Sequence, residues 1–489
     1  MSAERSRPLA LAATLIGEDA PAIEDLFTTR RVLLCLEREA AASAPLREGF
    51  LLAVNEILRY CTNVAVALPP DCDETASAAV ALAREIHGSG ARIDLLALAE
   101  TDEQVYDAVL NVGRELHEHP AWIAIDGSGW TARVATAESG LEILPPSSAP
   151  PNVFAALAAA SLGAGQVFLA LVGRPLLARP LAFSLWSLET GSPAEVPDGP
   201  PLPEGIELQS LLVGCGGVAH GFAYAAARSP LRGELEAVDK QSLRPENLGA
   251  YVCATRSRLG EAKAEVIRDV LAPAIEVRPR NERLHFFKAR IGHGQTRVPK
   301  IVIVGLDDER VRHEVQRLQA PVTIDMAAEE LTAQLIVKDV ADDGVCLIGA
   351  YRVDESAPGE LEQLAKALGL PVERVGDFES TITAEDVATA PPEKRAMLEE
   401  ARRRGQRICG RATELDLHEE DGSGAFTPAV PFVTAFTGIA AAAQLTRQLM
   451  GAGEGSLHFQ FSFLTYRSRE MRMRCPADCE CARAKPITA

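Results

Sequence analysis

A cluster of glycines between an apolar run and an alanine-rich segment is the first feature of this sequence that could do chemistry. Residues 211–222 read LLVGCGGVAHGF, an order typical of a strand, a tight turn and a helix. Gly214, Gly216 and Gly217 would let the backbone approach a phosphate at the helix N-terminus, where unpaired N–H groups and the helix dipole favour an anion. Asp239 lies 25 residues after Gly214, where a carboxylate can accept hydrogen bonds from ribose hydroxyls. The sequence therefore predicts a nucleotide site.

The glycine turn by itself fits either a dinucleotide or ATP, because both present phosphates to a helix N-terminus. Ala219 stands where the dinucleotide fingerprint has its third glycine. Hydride transfer requires a nicotinamide pocket, whereas adenylation requires a metal ion and cations around a triphosphate. The charged residues that follow the turn therefore decide which nucleotide is expected.

Three charged stretches follow the turn. They read VDKQSLRPENLGAY at 238–251, RLGEAKAEV at 258–266 and IVGLDDERVRHE at 303–314. In this order they resemble the ThiF/MoeB and ubiquitin-activating (E1-like) superfamily, whose members adenylate the C-terminal glycine of a ubiquitin-like protein. The resemblance covers most of residues 207–340, and it returns at 427–451 and in the C-terminal cysteine cluster.

The resemblance implies a role for each of four residues in these stretches. Asp239 would bind the ATP ribose, and Asn247 would lie near the phosphates. Lys263 would neutralise the triphosphate, and Asp307 would hold Mg²⁺. Because a carboxylate that attacks the α-phosphate approaches another anion, Mg²⁺ and Lys263 would have to offset the repulsion.

Asp308 and Arg312 match the DN…R stretch of the family. Two other positions depart from the family pattern. Ala250 stands where an arginine usually follows the NL dipeptide, and Gln241 replaces an acid that usually follows the ribose aspartate. Active members commonly also receive an arginine from a partner subunit. In this chain the N-terminal half would have to donate it, and Arg30 or Arg31 are the candidates.

One cysteine is predicted to be a nucleophile. Cys409 lies in the arginine-rich run RRRGQRICG at 402–410, whose charges favour a thiolate. A thiolate can attack an acyl-adenylate and form a thioester, and thioester-forming members of the superfamily carry their nucleophile in an insertion after the Mg²⁺-binding half. Cys253 and Cys346 are the alternative nucleophiles.

A second set of cysteines could hold zinc. The sequence MRCPADCECAR at 473–483 contains Cys475, Cys479 and Cys481 and resembles the family's C-terminal zinc pair. A closed zinc site takes four ligands, and the family's first CxxC pair is missing here. Cys346 is the predicted fourth ligand, and a frayed cysteine-bearing tail is the alternative interpretation.

Composition limits the classes of function. The 489 residues contain 68 Asp and Glu against 49 Lys and Arg, a net charge of −19, which provides no basic field for nucleic acid. No basic and apolar leader is present at the N-terminus, and ten cysteines fit a reducing compartment, so we expect a cytoplasmic protein. The uncharged stretch 151–173 is long enough to span a bilayer, but its Ala and Gly content and its central Gln166 favour a buried helix and no membrane partner.

Apolar runs and helical stretches alternate in α/β order in both halves. The first half predicts strands at 30–37, 63–69, 92–98 and 121–130 and helices at 45–60 and 75–87. The second predicts strands at 208–214, 234–239, 300–307 and 322–325 and helices at 217–228 and 259–271. Because no glycine-rich turn follows the strand at 30–37, the first half is predicted not to bind phosphates itself.

An internal repeat relates the two halves. Residues 153–173 align without gaps on residues 431–451, which indicates duplication, with chance similarity of two alanine-rich helices as the alternative. We therefore expect an α/β protein with two Rossmann-like ThiF-type adenylation domains in one chain, a pseudo-dimer whose second domain carries a cysteine-bearing insert. The predicted units are an inactive adenylation-like domain at 1–187, a linker at 188–206, an ATP-binding domain at 207–344, the insert at 345–425 and the rest of that domain at 426–489.

The resemblance implies ATP-dependent activation of a ubiquitin-like protein, with Mg²⁺ and zinc as cofactors and transfer of the thioester to a conjugating enzyme. A bacterial ubiquitin-like conjugation pathway of the kind encoded in antiviral operons is the expected setting. The alternatives are a sulfur-carrier adenylyltransferase, an NAD(P)-dependent oxidoreductase and a scaffold whose nucleotide site has decayed, which Ala219, Gln241 and Ala250 motivate.

Overall fold

Two eight-stranded sheets, one from each half of the chain, organise this protein in the computed structural model. The structure describes residues 6–18, 20–88, 93–98, 102–139, 144–351, 353, 360–376, 380–406, 408, 429–471, 473–475 and 479. Cys409 and Cys481 lie outside the described residues.

The first half contributes six helices and eight strands to the described residues. They are α1 (Ser6–Ile16), α2 (Ala20–Thr29), β1 (Arg31–Leu36), α3 (Arg38–Ala41), α4 (Ala44–Leu58), β2 (Asn63–Leu68), α5 (Asp73–His87), β3 (Ile93–Ala97), β4 (Ala108–Val112), β5 (Trp122–Ser128), β6 (Thr131–Thr136), α6 (Val153–Leu171), β7 (Leu181–Ser184) and β8 (Thr190–Gly191).

The second half continues with its own sheet and an additional group of helices. Its elements are β9 (Ile206–Val213), α7 (Gly217–Ala227), β10 (Leu231–Val238), α8 (Lys263–Leu271), β11 (Ile275–Arg280), α9 (Leu284–Gly292), β12 (Ile301–Val304), α10 (Glu309–Gln316), β13 (Val322–Glu329), β14 (Thr332–Asp339), α11 (Leu347–Ala350), α12 (Glu360–Leu368), α13 (Val372–Gly376), α14 (Ala384–Thr389), α15 (Pro392–Arg403), α16 (Pro431–Leu449), β15 (Leu457–Ser462) and β16 (Arg467–Glu470).

The two sheets have the same topology. The order is β3-β2-β1-β4-β5-β6-β7-β8 in one and β11-β10-β9-β12-β13-β14-β15-β16 in the other. In each sheet the first five strands are parallel and the last three run antiparallel to their neighbours. The central strands are apolar runs such as RVLLCL in β1 and IVIV in β12, as expected of parallel strands covered on both faces. Equal order and direction confirm the predicted fold of two Rossmann-like halves and support duplication.

The aligned helices α6 and α16 hold equivalent places. α6 packs on α4, β5 and β6, and α16 packs on α7, β13 and β14. α16 approaches α7 so closely that a Cβ on Gly438 would lie 2.1 Å from the backbone nitrogen of Phe222. α6 is long and apolar enough to cross a membrane by length and composition, and 94% of its most apolar window is buried inside the protein.

One apolar core joins the two halves. The rings of Tyr60 and Phe168, from the first half, lie 6.4 and 5.4 Å from that of Phe432 at the start of α16. The hydroxyl of Tyr466 donates to the carbonyl of Leu162 at 2.8 Å across the same boundary. Because ring pairs and satisfied polar groups extend over both halves, the interface resembles a domain interior.

The predicted linker at 188–206 includes part of the first sheet. Thr190 and Gly191 pair with Phe183 and Ala182 as strand β8, and the Thr190 hydroxyl lies 3.0 Å from that of Ser468 on β16. A strand of two residues is too short to show an alternation of apolar and polar residues in the sequence. The proline-rich composition of the segment therefore predicts a linker and gives no indication of the strand. The domain boundaries themselves stay predictions.

The predicted insert contains a helical group with its own small core. Helices α12 to α15 bury Leu364, Leu368 and Leu398 together with Phe286 of α9. Phe286 therefore links this group to the ATP-binding half, while Cys409 follows the last residues that the structure describes there.

A buried carboxyl group at the interface makes stability depend on pH. Glu56 of α4 is fully buried and accepts a hydrogen bond from Ser161 of α6 at 2.6 Å. Burial raises its pKa to about 8, although the Ser161 bond and Arg59 act in the opposite direction. The native state therefore holds a proton that the unfolded chain has already released between about pH 4.5 and pH 8.

We expect the free energy of unfolding to fall as pH rises through this window, by up to about 1.4 kcal/mol per pH unit from Glu56. Glu56→Gln keeps an acceptor for Ser161 and cannot titrate, so it should lack this component. Urea unfolding of both proteins at pH 5, 6.5 and 8 measures the difference, with Glu39→Gln at an exposed carboxylate as control. Parallel stability curves for wild type and Glu56→Gln would show that Glu56 ionises normally.

Candidate functional site

Strand register brings the predicted nucleotide residues to one edge of the second sheet. Val213, the last residue of β9, pairs with Val238 of β10 and Val304 of β12. The residues that follow these strands therefore meet at the carboxyl edge. β9 lies between β10 and β12, the point where strand order reverses, and this is where ligands bind in open parallel sheets.

The turn after β9 requires glycine. Gly214 has a φ of +84°, and a Cβ there would lie 2.7 Å from the carbonyl oxygen of Gly305. Gly216 is the N-cap residue of α7, and among the described residues no side chain caps this helix. A Cβ on Gly217 would lie 3.1 Å from Thr434. The open N-terminus of α7 thus presents backbone N–H groups, as the sequence predicts for a phosphate.

Asp239, which follows β10, connects this turn to that strand by hydrogen bonds. Its carboxylate accepts hydrogen bonds from the backbone N–H of Cys215 and of Gln241, each at 2.7 Å. Both bonds orient the carboxylate beside the turn. Its predicted contact with a ribose stays a prediction.

The buried ammonium of Lys263 is the main positive charge of the site. Its side chain is 5% exposed, and its Nζ donates to Gln241 at 2.7 Å and lies 3.4 Å from the Tyr251 hydroxyl. Burial alone would lower the pKa of Lys263, but Tyr251, Asp239 and Asp307 outweigh burial and raise it. The group is therefore charged at neutral pH, and its nearest partners are a neutral amide and a phenol.

A tyrosine that sequence reasoning overlooked lies between two cations. The Tyr251 ring has the Lys263 Nζ 5.3 Å from its centroid and the Arg7 guanidinium carbon at 5.6 Å. Arg7 comes from α1 in the first half. The cations face the ring within the range of a cation–π contact. A short helix at the N-terminus with no charge pattern left no signal for this contact in the sequence.

The structure gives Arg30 and Arg31, the predicted arginine donors, other partners. Both arginines precede or begin β1 and bind within the first half, where Arg30 forms an ion pair with Asp107 and Arg31 lies over the ring of Tyr106 at 4.9 Å. Their local partners hold them at the amino edge of the first sheet. Arg7 is the arginine of the described first half whose guanidinium lies over the Tyr251 ring.

The segment after Asn247 replaces the family's arginine with a buried alanine. Asn247 ends a short 3₁₀ helix and is 4% exposed, and its side-chain oxygen accepts from the backbone N–H of Arg244 at 2.9 Å. Ala250 is fully buried, and its carbonyl accepts from the Thr434 hydroxyl at 2.8 Å. Asn247 therefore shapes the start of the segment, and its predicted place near the phosphates stays a prediction.

The two aspartates after β12 differ in their surroundings. Asp308 caps α10, since its side chain accepts from the backbone N–H of Arg310 at 2.8 Å and of Val311 at 3.2 Å. Asp307 is exposed and makes no hydrogen bond or ion pair with the described residues. It is close enough to Lys263 to raise the pKa of that ammonium. Of the two aspartates, Asp307 is therefore the one whose carboxylate oxygens are available to coordinate a cation.

Arg312 braces the turn that carries Asp307. It is 3% exposed, forms an ion pair with the fully buried Asp325, and donates to the Tyr351 hydroxyl at 2.8 Å and to the carbonyl of Leu306. These partners hold Leu306 against β13. The predicted catalytic role of Arg312 stays a prediction, and its observed contacts fit a residue that orients Asp307.

Three of the four predicted zinc ligands lie together. The sulfur of Cys346 lies 3.3 Å from that of Cys475 and 3.6 Å from that of Cys479. Sulfurs bound to one tetrahedral zinc ion are about 3.8 Å apart, so the cluster fits the ion in donor type and spacing. These residues could hold a metal if Cys481, which lies outside the described residues, supplied the fourth thiolate.

Cys253 does not suit a nucleophile. Its thiol donates to the carbonyl of His220 at 3.3 Å, and burial raises its pKa to about 11. Burial likewise raises the pKa of Cys215 inside the glycine turn. Since thiolates and not thiols attack acyl groups, burial argues against both residues as nucleophiles, and Cys346 belongs to the cysteine cluster. Cys409 as the nucleophile stays a prediction.

Comparison with known proteins agrees with the division into halves. The model of the ThiF family matches residues 206–483, and that of the BilD N-terminal domain matches residues 31–185. A curated relative, "Uncharacterized protein y4jF" of Sinorhizobium fredii (strain NBRC 101917 / NGR234), is 29% identical over 255 residues, which are 50% of this chain and 47% of that protein. This chain thus spans about half the length of that relative.

Solved structures of E. coli MccB match at a lower level. The structure of MccB alone is 14% identical, covers 57% of this chain and 66% of that chain, and has a TM-score of 0.37. The structure of MccB with ATP is also 14% identical, covers 57% and 67%, and has a TM-score of 0.33. These values assign no activity. The ThiF model, in contrast, spans more than half of the chain and contains both the glycine turn and the described cysteine cluster, and the protein belongs to the ThiF family.

Proposed function

We propose that this protein is an adenylating enzyme that activates the C-terminal glycine of a ubiquitin-like protein with ATP. The observation that carries the proposal is the buried charge of Lys263 beside the open N-terminus of α7, with Asp307 next to it. The hydrogen-bond partners of Lys263 are a neutral amide and a phenol, so a polyphosphate can bind the ammonium without displacing a carboxylate from a hydrogen bond. Membership of the ThiF family supports the same reaction.

In this mechanism the carboxylate of the partner attacks the α-phosphorus of ATP, a phosphorus–oxygen bond forms, and pyrophosphate leaves with the electrons of the bond that breaks. The α7 N–H groups and Lys263 stabilise the negative charge on the phosphates. Arg7 approaches from the first half and adds a second cation. Asp307 would hold Mg²⁺, which would screen the charge of the triphosphate.

The second step would use Cys409. Its thiolate would attack the acyl-adenylate, release AMP and retain the partner as a thioester for a conjugating enzyme. The duplicated fold, with the ThiF family match confined to the second half, supports a two-part activating enzyme in one chain. We propose a cytoplasmic bacterial ubiquitin-like conjugation pathway of the antiviral kind as its setting.

Sulfur-carrier activation is the second candidate, because it would use the same nucleotide site and the same cysteine cluster. In that case the acyl-adenylate would be passed to sulfur chemistry with no thioester retained on Cys409. An oxidoreductase is less suited, because adenylation requires positive charge around a triphosphate, which Lys263 supplies, whereas hydride transfer depends on a nicotinamide pocket.

Adenylation predicts ATP–pyrophosphate exchange in the presence of a glycine-terminated partner. Lys263→Ala and Arg7→Ala should each lower the exchange rate by about 100-fold, because each removes a cation from the developing charge. Asp307→Asn should shift the Mg²⁺ requirement to higher concentration. Arg30→Ala is the matched control and should exchange at the wild-type rate. Full exchange by Lys263→Ala, or a nicotinamide absorbance change with NAD(P)H, would contradict the proposal.

Thioester formation predicts a separate phenotype for Cys409. Cys409→Ala should retain pyrophosphate exchange, since the adenylation site is intact, and should lose the thiol-sensitive adduct with the partner in intact-mass spectra. Cys253→Ala, which removes a half-buried thiol bound to the carbonyl of His220, should keep the adduct. If Cys409→Ala still forms the adduct, another cysteine is the nucleophile, and if the wild type forms none, sulfur-carrier activation is favoured.

The cysteine cluster predicts stoichiometric zinc in the purified protein. Cys475→Ser should lose the ion and lower the melting temperature, because a closed zinc site stabilises the fold around it. Elemental analysis by mass spectrometry measures the metal, with Cys72→Ser in the first half as control. Wild-type protein purified without chelators and free of zinc would overturn the assignment.

A further inference from the structure

Side chains from outside the segment hold the backbone of residues 248–254, and most of them belong to the first half. The guanidinium of Arg59, which follows α4, donates to the carbonyls of Leu248, Val252 and Ala254, the last two at 2.9 and 3.1 Å. Asn55 of α4 donates to the same Val252 carbonyl at 2.9 Å. With the bond from Thr434 to Ala250, every second carbonyl of the segment is held.

The arginine that holds the segment is itself oriented and buried. Arg59 is 1% exposed, and its Nε donates to the side chain of Asn55 at 2.8 Å. It forms no ion pair with a carboxylate among the described residues. The carboxyl group of Glu56, on α4, is bound to Ser161, and burial raises its pKa to about 8, which favours its neutral form.

A buried guanidinium without a carboxylate is costly unless its N–H groups are bound. Here the carbonyls of residues 248–254 satisfy them, so the charge is tolerated only while this segment keeps its conformation. An apolar side chain would fill the same space without that requirement. The hydrogen bonds of Arg59 therefore specify the backbone conformation of residues 248–254, in addition to the apolar surface that the side chain buries.

The segment carries Tyr251, which borders the nucleotide site. The Tyr251 hydroxyl lies 3.4 Å from the Lys263 Nζ and 3.7 Å from the position of a Cβ on Gly216. The ring lies 3.2 Å from the position of a Cβ on Gly217. A shift of Leu248, Val252 or Ala254 would move this ring against the glycine turn and the ammonium.

We propose that Arg59, together with Asn55, is a positioning residue of the nucleotide site in the other half. The first half, which has no glycine turn of its own, sets the conformation of residues 248–254 and thereby the place of Tyr251 beside Lys263. This inference rests on the proposed function for its kinetic consequence, and the contact itself is independent of it.

Arg59→Ala should lower kcat/KM for ATP in pyrophosphate exchange by roughly 100-fold, because a displaced segment misplaces the groups around the triphosphate. The loss should appear mainly as a raised KM for ATP and a weaker calorimetric Kd. In Arg59→Lys the ammonium can donate to some of the carbonyls but lacks the planar set of N–H donors of a guanidinium. This variant should therefore recover part of the affinity for ATP. Asn55→Leu should lie between Arg59→Lys and the wild type.

Leu52→Ala on the same helix is the control for a merely structural role. Leu52 is fully buried and cannot bind carbonyls, so its variant should lose stability while KM for ATP stays at the wild-type value. All variants are assayed well below their melting temperatures. Arg59→Ala with wild-type KM and Kd for ATP would overturn the proposal.

Amide hydrogen exchange of the full chain separates this inference from the proposed function. Arg59→Ala should speed exchange in residues 248–254 by at least about tenfold, and Leu52→Ala should not do so selectively. If the wild type binds no ATP, the proposed function fails. Faster exchange of residues 248–254 in Arg59→Ala would still support the clamp, which is the set of hydrogen bonds by which Arg59 and Asn55 hold this segment. Unchanged protection of the segment in Arg59→Ala would overturn the clamp, whatever the protein does with ATP.

Discussion

The structure of the site depends on one buried positive charge. The Lys263 ammonium lies inside the protein with an amide and a phenol as hydrogen-bond partners, and the carboxylates of Asp239 and Asp307 act on it from farther away. A charge in this situation is stable only if surrounding dipoles are fixed. The glycine turn, the segment that carries Tyr251 and the hydrogen bonds of Arg312 each fix a part of the backbone around this ammonium.

Two departures from the family pattern become understandable in this setting. Gln241, which replaces an acid, accepts from Lys263 without neutralising it. Ala250, which replaces an arginine, is buried, while Arg7 from the first half supplies a guanidinium next to Tyr251. The cations that lie over the Tyr251 ring are therefore Lys263 of the second half and Arg7 of the first half.

The first half has no glycine-rich turn after β1 but shares the architecture of the second half. Its sheet repeats the strand order of the second, its helix α6 mirrors α16, and its residues Arg7 and Arg59 extend to the other half. The equivalent helices α6 and α16 also pack on each other, so the two halves meet through the same element of the duplicated fold.

Local signals in the sequence determined the α/β class, the two halves, the glycine turn and the charged residues after the strands, because each depends on a short pattern such as an apolar run or the glycines around Gly214. Tertiary structure alone decided which arginine reaches the site, the role of Tyr251, the clamp by Arg59 and the strand hidden at Thr190. These depend on residues far apart in the chain that meet only when the sheets and helices pack, and no spacing in one dimension encodes such contacts.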